Sequence, residues 1–326
     1  MSRSRFVAFI PLALLLAIIT AVSTAARQGS AAADPDRASV VRFVAFGDMG
    51  TGNEDQLLVA RRMVAFHDEH SCDTVLTVGD NIYPDGNAAD FPAKFERPYA
   101  ELLKRGVNFY ATLGNNDVKK GRDAQINYQP FHMGGRPYYS FTRGTAGANQ
   151  VQFFAIDSTR FDAGQERWLN ASLAESRARW KIAFFHHAIY SSAKTHGSRM
   201  KLRAQLEPLF VKYGVAAVFS GHDHTYERTK PQQGVHYFVC GIGGEIRGGD
   251  LDRNSEFLAF GSDEDSGFMF VEVTAGRLDF RAINAAGRVF DRGTIASRGA
   301  ALSSARTAGT TPPLAGSLVP FRLGEN

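Results

Sequence analysis

Five of the strands that the sequence predicts end in a short polar segment, and this feature most restricts the fold and chemistry of the chain. The segments are Gly47-Asp48-Met49-Gly50, Gly79-Asp80-Asn81-Ile82-Tyr83, Gly114-Asn115-Asn116-Asp117, His186-His187 and Gly221-His222-Asp223-His224. Open α/β sheets bind their ligands at the carboxyl ends of their strands. Because each segment directly follows a strand, we expect all five to meet in one cleft. The glycines beside the polar residues let the backbone turn sharply and approach a ligand closely.

The hydrophobic periodicity around these segments predicts a mixed α/β fold. Six strands are predicted in the first two thirds of the chain, at Val40–Phe46, Thr74–Val78, Val107–Leu113, Gln150–Ile156, Trp180–Phe185 and Val215–Phe219. Four helices alternate with them, at Glu54–His70, Phe91–Lys104, Gln165–Ala174 and Arg199–Tyr213. The last third contains strands Val235–Cys240, Phe268–Val273, Leu278–Ile283 and Val289–Ile295, with hairpin turns at Ala275-Gly276 and Ala286-Gly287. We therefore expect an α/β domain over residues 40–296 that closes in an antiparallel meander.

The two ends of the chain differ in composition from this domain. Arg3 and Arg5 precede an apolar run that starts at Phe6, and small residues follow it, which is the pattern of a cleavable signal peptide over residues 1–26. The run is short for a membrane span, so we expect no stable anchor, although an uncleaved anchor is the alternative. Residues 27–39 are expected to form a polar leader and residues 297–326 a flexible tail rich in small residues and proline. The interpretation is a secreted or periplasmic protein.

Charge and cysteine content exclude several classes of function. The chain has 37 Lys and Arg against 33 Asp and Glu, with no long basic run, so nucleic acid is not an expected partner. The only two cysteines, Cys72 and Cys240, are too few for a disulfide scaffold or a cysteine-based zinc site.

The polar segments contain the residue types of a transition-metal site. Imidazole, carboxylate and amide oxygen together favour Mn, Fe or Zn over Ca or Mg. His222 and His224 lie close enough in sequence to serve adjacent ions, and the two oxygens of Asp80 could bridge them. Such a pair of ions, about 3.5–4 Å apart, is typical of hydrolases that transfer phosphoryl groups.

Each of these segments also has an ordinary structural interpretation. A single Gly-Asp after a strand is usually a turn, and a His-His pair at a strand end is more often packing than metal ligation. The joint pattern favours a site, because every segment occupies the same end of its strand.

The motifs, taken in order, resemble those of purple acid phosphatases, a branch of the calcineurin-like metallophosphoesterases. They are Asp48-x-Gly50, Gly79-Asp80-x-x-Tyr83, Gly114-Asn115, His186 and Gly221-His222-x-His224. Most of the superfamily has His at the position of Gly50 and Asp at that of Tyr83, so these two residues indicate the purple branch. The resemblance extends over about residues 40–296 and is to the short, single-domain type, which includes tartrate-resistant acid phosphatase.

This resemblance implies a fold, a cofactor and a reaction. The fold would be a β-sandwich of two mixed sheets flanked by helices. One ion, typically Fe(III), would be held by Asp48, Asp80, Tyr83 and His224. The other, Fe, Zn or Mn, would be held by Asp80, Asn115, His186 and His222. The expected reaction is hydrolysis of small phosphate monoesters, by in-line attack of a metal-bound hydroxide on phosphorus. The alternatives are a phosphodiesterase with the same two metals, or a weakly active relative that binds metal or phosphate.

The chain departs from the family pattern at Asn116, which stands where the family has a histidine that contacts phosphate. An amide can hydrogen-bond phosphate but cannot supply a proton at useful pH. His196 matches another family histidine and is our candidate to contact phosphate or protonate the leaving group. Asn116 and His196 are therefore the predicted catalytic positions.

Overall fold

The computed structural model describes residues 40–297. The predicted signal peptide at residues 1–26, the leader at residues 27–39 and nearly all of the predicted tail lie outside the described residues. Ser297, the first residue of the predicted tail, is buried, and its N–H donates to the carbonyl of Gly276 at 2.8 Å.

The described residues form thirteen strands and six α-helices. The strands are β1 (Val41–Phe46), β2 (Thr74–Thr77), β3 (Asn108–Ala111), β4 (Tyr139–Arg143), β5 (Val151–Ala155), β6 (Trp180–His187), β7 (Ala217–Gly221), β8 (Tyr226–Thr229), β9 (His236–Cys240), β10 (Leu258–Ser262), β11 (Gly267–Val273), β12 (Arg277–Asn284) and β13 (Val289–Ala296). The helices are α1 (Glu54–His70), α2 (Ala100–Lys104), α3 (Asp117–Lys120), α4 (Arg122–Asn127), α5 (Ala163–Glu175) and α6 (Met200–Tyr213).

The strands build two mixed sheets, as the resemblance predicted. The first sheet has the order β13-β12-β11-β1-β2-β3, with β1, β2 and β3 parallel and β11 antiparallel to β1. The second has the order β10-β8-β9-β7-β6-β5-β4, with a parallel centre from β5 to β9. The strands that precede the polar segments, β1, β2, β3, β6 and β7, are therefore neighbours within their sheets.

The two sheets pack face to face, and helices cover both outer faces. Phe43 of β1 makes edge-to-face contacts across the interface with Phe153 of β5, at a centroid distance of 5.1 Å, and with Phe219 of β7, at 5.6 Å. Val44 and Phe46 of β1 point to the opposite face and join the core beneath α1 and α2. Side chains of β1 thus alternate between the two faces of the sheet, and both faces are buried. Helices α5 and α6 cover the second sheet and form a separate core with it.

The predicted helix Phe91–Lys104 is wrong as one continuous element. A π-helical turn spans Pro92–Glu96, and α2 begins only at Ala100. Pro98 lies between them, and a proline inside a helix lacks the N–H for the i−4 hydrogen bond and clashes with that carbonyl. The prediction of helix Glu54–His70 is confirmed, and the side chain of Asn53 caps its start by accepting from Gln56 N.

The last third differs from the prediction in sheet assignment. The meander is confirmed for β11, β12 and β13, which pair antiparallel. The strand at His236–Cys240 instead belongs to the second sheet, where it lies parallel to β7 and antiparallel to β8. Strands β4, β8 and β10 were not predicted; β4 and β10 are partly exposed edge strands with weak hydrophobic patterns. Cys72 and Cys240 are buried free thiols, consistent with the prediction against a disulfide scaffold.

Candidate metal centre

The structure brings the seven predicted metal ligands to one end of the sandwich, where the two sheets meet. We call Asp48, Asp80, Tyr83, Asn115, His186, His222 and His224 the seven-residue cluster. Backbone hydrogen bonds join the sheets here, from Gly47 N to Cys240 O at 3.0 Å and from Gly243 N to Gly47 O at 2.9 Å. The cluster is thus built on the ends of rigid strands.

Three members of the cluster have a left-handed backbone conformation. The φ angles are 56° at Asp48, 49° at Asp80 and 73° at His222. Residues other than glycine rarely adopt this conformation, which costs about 1–3 kcal/mol and is concentrated at functional sites. Here it turns each side chain sharply away from the path of the preceding strand and towards the cluster.

Two glycines leave room for the carboxylates. A Cβ atom on Gly114 would lie 2.1 Å from Asp80 Oδ1, and one on Gly221 would lie 2.3 Å from Asp48 Oδ2. Both distances are far below van der Waals contact, so only glycine allows the carboxylates their present positions.

Asp48, Tyr83 and His224 converge on one side of the cluster. Tyr83 Oη donates to Asp48 Oδ1 at 3.1 Å and lies 3.1 Å from His224 Nε2, which is itself 3.5 Å from Asp48 Oδ1. The other ring nitrogen of His224 is buried without a hydrogen bond, and the carboxylate of Glu245 lies 3.7 Å from it. The three converging atoms are a carboxylate oxygen, a phenol oxygen and an imidazole nitrogen, a set that suits a hard cation.

Electrostatics on this side favour a cation. Burial raises the pKa of Asp48, but the charge of His186 and the hydrogen bond to His224 outweigh burial and hold that pKa below its ordinary value. Burial and the charges of Asp48 and Asp80 raise the pKa of Tyr83 well above its ordinary value, so its phenol stays protonated unless a cation is bound.

His186, His222 and Asn115 form the other side. His186 Nε2 lies 3.0 Å from Asn115 Oδ1, 3.2 Å from His222 Nδ1 and 3.5 Å from Asp80 Oδ2. His186 Nδ1 lies 3.1 Å from the carbonyl of Val78, which orients the ring so that Nε2 faces the cluster.

The carboxylates and imidazoles fit metal ions by distance as well as by chemistry. Ligand atoms of Asp48, Asp80 and His186 all lie within 4.8 Å of one another, as do those of His186, His187 and His222. His186 belongs to both groups. Burial and the charge of His186 lower the pKa of His222 far below its ordinary value, so its imidazole is neutral and free to ligate. These residue groups could hold metal ions.

Asn116, the first predicted catalytic residue, turns its amide towards the cluster. Its backbone N–H donates to Asp80 Oδ1 at 2.8 Å, and its Nδ2 donates to Asp80 Oδ2 at 2.5 Å. Its Oδ1 accepts a hydrogen bond from Lys119. In this arrangement Asn116 orients Asp80, and both ends of its amide are engaged within the protein.

His196, the second predicted catalytic residue, lies at the exposed surface of the cluster. It is on the loop between β6 and α6, and its ring stacks on that of His222 with centroids 4.2 Å apart. Asp250 holds the preceding residue, because its Oδ1 accepts from both the N–H and the hydroxyl of Thr195. The sequence motif contained His196 but not this distant carboxylate.

Asp117 is a supporting residue that sequence reasoning missed. It is fully buried, and its carboxylate accepts hydrogen bonds from the N–H groups of Gly114, Asn81 and Ile82 and from the amides of Asn81 and Gln125. Asp117 therefore joins the loops after β2 and β3, which carry Asp80 and Asn115. Its place in the Gly-Asn-Asn-Asp segment was the available signal.

Glu227 is a second missed residue. It is fully buried, and its carboxylate accepts from Ser191, Ser192 and Thr225 at 2.6–3.1 Å. It thereby anchors the start of the loop that carries His196. Burial raises its pKa to about 6.

No helix within residues 40–297 combines the length and the apolar character needed to cross a bilayer.

Comparison with known proteins shows similarity to purple acid phosphatases. Purple acid phosphatase 17 of Arabidopsis thaliana is 27% identical over 266 residues, which cover 72% of this chain and 78% of that protein. Tartrate-resistant acid phosphatase type 5 of Rattus norvegicus is 27% identical over 291 residues, which cover 77% and 89%. The fold is similar to that of purple acid phosphatase PPD1 from yellow lupin, with a TM-score of 0.67 at 22% identity over 86% of this chain and 58% of that one.

These relatives confirm the resemblance to purple acid phosphatases that the motifs indicated. The family model described as calcineurin-like phosphoesterase matches residues 41–226, which is more than half of the chain and includes all seven members of the cluster. The chain therefore belongs to the calcineurin-like phosphoesterase family of hydrolases.

Proposed function

We propose that this protein is a phosphomonoesterase that works with two metal ions held by the seven-residue cluster. The observation that carries the proposal is the position of Tyr83, whose phenol oxygen lies 3.1 Å from both Asp48 Oδ1 and His224 Nε2. The phenol oxygen converges with a carboxylate oxygen and an imidazole nitrogen, and as a phenolate it would be a hard anionic ligand.

The proposed assignment divides the cluster between two ions. Fe(III) would be held by Asp48, Asp80, Tyr83 and His224, and Fe, Zn or Mn by Asp80, Asn115, His186 and His222. Asp80 is shared, which agrees with its backbone strain and with the two hydrogen bonds that orient its oxygens. When bound, such ions supply Lewis acidity, which polarises a phosphate ester and lowers the pKa of water.

The residues of the chain have separate roles in this proposal. Asn116 donates two hydrogen bonds to Asp80, and Asp117 accepts hydrogen bonds from the backbone of the loop that carries Asp80. His196 is exposed at the face of the cluster and stacks on His222, so it is the imidazole placed to meet an entering phosphate ester. We assign to it the contact with phosphate or the delivery of a proton to the leaving oxygen.

The test of the metal assignment is a comparison of two aspartates in one loop. Asp80→Asn should lose metal from both sites, because it removes negative charge between two cations. Asp85→Asn is the matched control, since Asp85 lies five residues on and pairs with Lys120 at 2.6 Å. The measurement is metal analysis of both purified variants. If Asp80→Asn holds two ions per chain at wild-type occupancy, the proposal that Asp80 serves both ions is refuted.

The substrate is tested with a phosphate monoester and a diester of the same phenol. We expect faster hydrolysis of the monoester at equal metal content. Phosphodiesterase activity is the second candidate, and the replacement of the family histidine by Asn116 is the observation that favours it. A higher kcat/KM on the diester would establish that candidate, and no turnover of either ester by the protein with both ions bound would indicate a binding protein.

We also propose export, on the sequence pattern of residues 1–26 alone. Amino-terminal sequencing of the protein recovered outside the cytoplasm should begin near Arg27. A protein that keeps residues 1–26 and stays with the membrane would contradict cleavage.

A further inference from the structure

Lys119 has no ion-pair partner among the described residues, although it lies beside the seven-residue cluster. Its ammonium group donates to Asn116 Oδ1 and to the carbonyl of Pro84, the latter at 3.2 Å. Pro84 directly follows Tyr83, and Asn116 directly follows Asn115. The charge of Lys119 is therefore held between the two loops that carry these members of the cluster.

The neighbouring Lys120, by contrast, has an ion-pair partner. Its ammonium group forms an ion pair with Asp85 at 2.6 Å, so its charge is compensated within the protein. Both lysines are exposed and both lie on the short helix α3. Lys119 instead contacts Asn116, which donates to Asp80, and its own contacts are to neutral oxygens.

The hydrogen bonds of Asn116 give a chemical reason for a further phosphate contact. Its amide nitrogen donates to Asp80 and its amide oxygen accepts from Lys119, so at most one N–H of the amide is left for a phosphate, and that donor is uncharged. A lysine on a flexible stem can leave a neutral amide oxygen for a phosphate oxygen, with which it forms a stronger charge-assisted hydrogen bond.

We propose that Lys119 is a phosphate-binding residue that supplies the positive contact at the position where Asn116 replaces the family histidine. The inference rests on the proposed phosphatase function and defines its substrate class as dianionic phosphate monoesters. A dianion gains more than a monoanionic diester from a single additional cation at the edge of the site.

The experiment compares Lys119→Met with the matched control Lys120→Met and the charge-preserving Lys119→Arg, all in the full chain with metal content measured. Calorimetric binding of inorganic phosphate is the first measurement. Lys119→Met should weaken it by about five- to tenfold, whereas Lys119→Arg and Lys120→Met should stay within about twofold of the wild type. For a monoester, KM should rise by a similar factor while kcat changes little, and the change should be smaller for a diester.

The outcomes separate this inference from the proposed function. If the wild type turns over no ester but Lys119→Met still loses phosphate affinity, the phosphatase proposal fails and the role of Lys119 stands. If Lys119→Met binds phosphate as Lys120→Met does, or if the wild type binds no phosphate, the inference is overturned. If Lys119 only joins the two loops and does not contact phosphate, Lys119→Met and Lys119→Arg should lower metal content or stability equally. Phosphate affinity per loaded site would then be unchanged, and this result also overturns the inference.

Discussion

Replacing the buried carboxylate of Glu227 by an amide should change how the stability of the protein depends on pH. Glu227 Oε1 accepts from the hydroxyls of Ser191 and Thr225, and Oε2 accepts from Ser192 N at 2.6 Å. Glutamine can keep all three contacts, because its oxygen can accept from Ser192 N while its NH2 group donates to the two hydroxyls. Glu227→Gln therefore removes the charge and leaves the packing in place.

The size of the effect follows from the pKa of Glu227. Burial raises this pKa from the ordinary value of 4.5 to about 6, against hydrogen bonds from Ser192 and Ser191 that lower it. Between these two pH values the folded state binds more protons than the unfolded state, so the free energy of unfolding falls as pH rises. The contribution is fully present below about pH 4.5 and is lost as pH passes about 6. At about 1.4 kcal/mol per pKa unit, the loss is about 2 kcal/mol.

Chemical denaturation of wild type and Glu227→Gln from about pH 4 to about pH 8 measures this change. The amide variant should gain about 2 kcal/mol relative to the wild type across that range. Glu256→Gln, at an exposed side chain, is the control and should follow the wild type. A stability difference between Glu227→Gln and wild type that is independent of pH would refute the reasoning.

Three further predictions concern the metal centre. Tyr83→Phe should abolish visible absorption while activity falls less than in Asp80→Asn; iron-loaded wild type without phenolate-to-iron absorption would contradict the ferric assignment. Gly114→Ala should lose bound metal and about 1–3 kcal/mol of stability by denaturation, because its Cβ would lie 2.1 Å from Asp80 Oδ1. Gly276→Ala, whose Cβ would meet no atom within 4 Å, is the control, and equal behaviour of the two variants would disprove that Asp80 needs glycine at position 114. Asn116→His should raise kcat/KM for alkyl phosphates by about tenfold or more, and less for activated aryl esters, at equal metal loading; no gain on alkyl phosphates would favour the diesterase.

The strand order along the chain and the residue types of the site were accessible from the sequence. A nearly continuous apolar run identifies β1, and such a run is typical of a strand that is buried on both faces. The ends of such strands then locate the polar segments that carry the candidate ligands. Prediction failed where local pattern is weak or is interrupted, as at the edge strands β4 and β10, or where Pro98 breaks the expected helix.

The sequence by itself determined which side chains are available, since seven candidate ligands at the ends of five strands are a property of local pattern. Only the tertiary structure decided how they meet. Tyr83 and His224 are 141 residues apart and His186 and Val78 are 108 apart, so their contacts depend on how the two sheets pack. The same packing turns the amide of Asn116 onto Asp80, buries Asp117 beneath both loops and leaves Lys119 unpaired among the described residues. Local propensity acts over a few neighbouring residues, whereas these positions are set by close packing and by hydrogen bonds between segments that are distant in sequence.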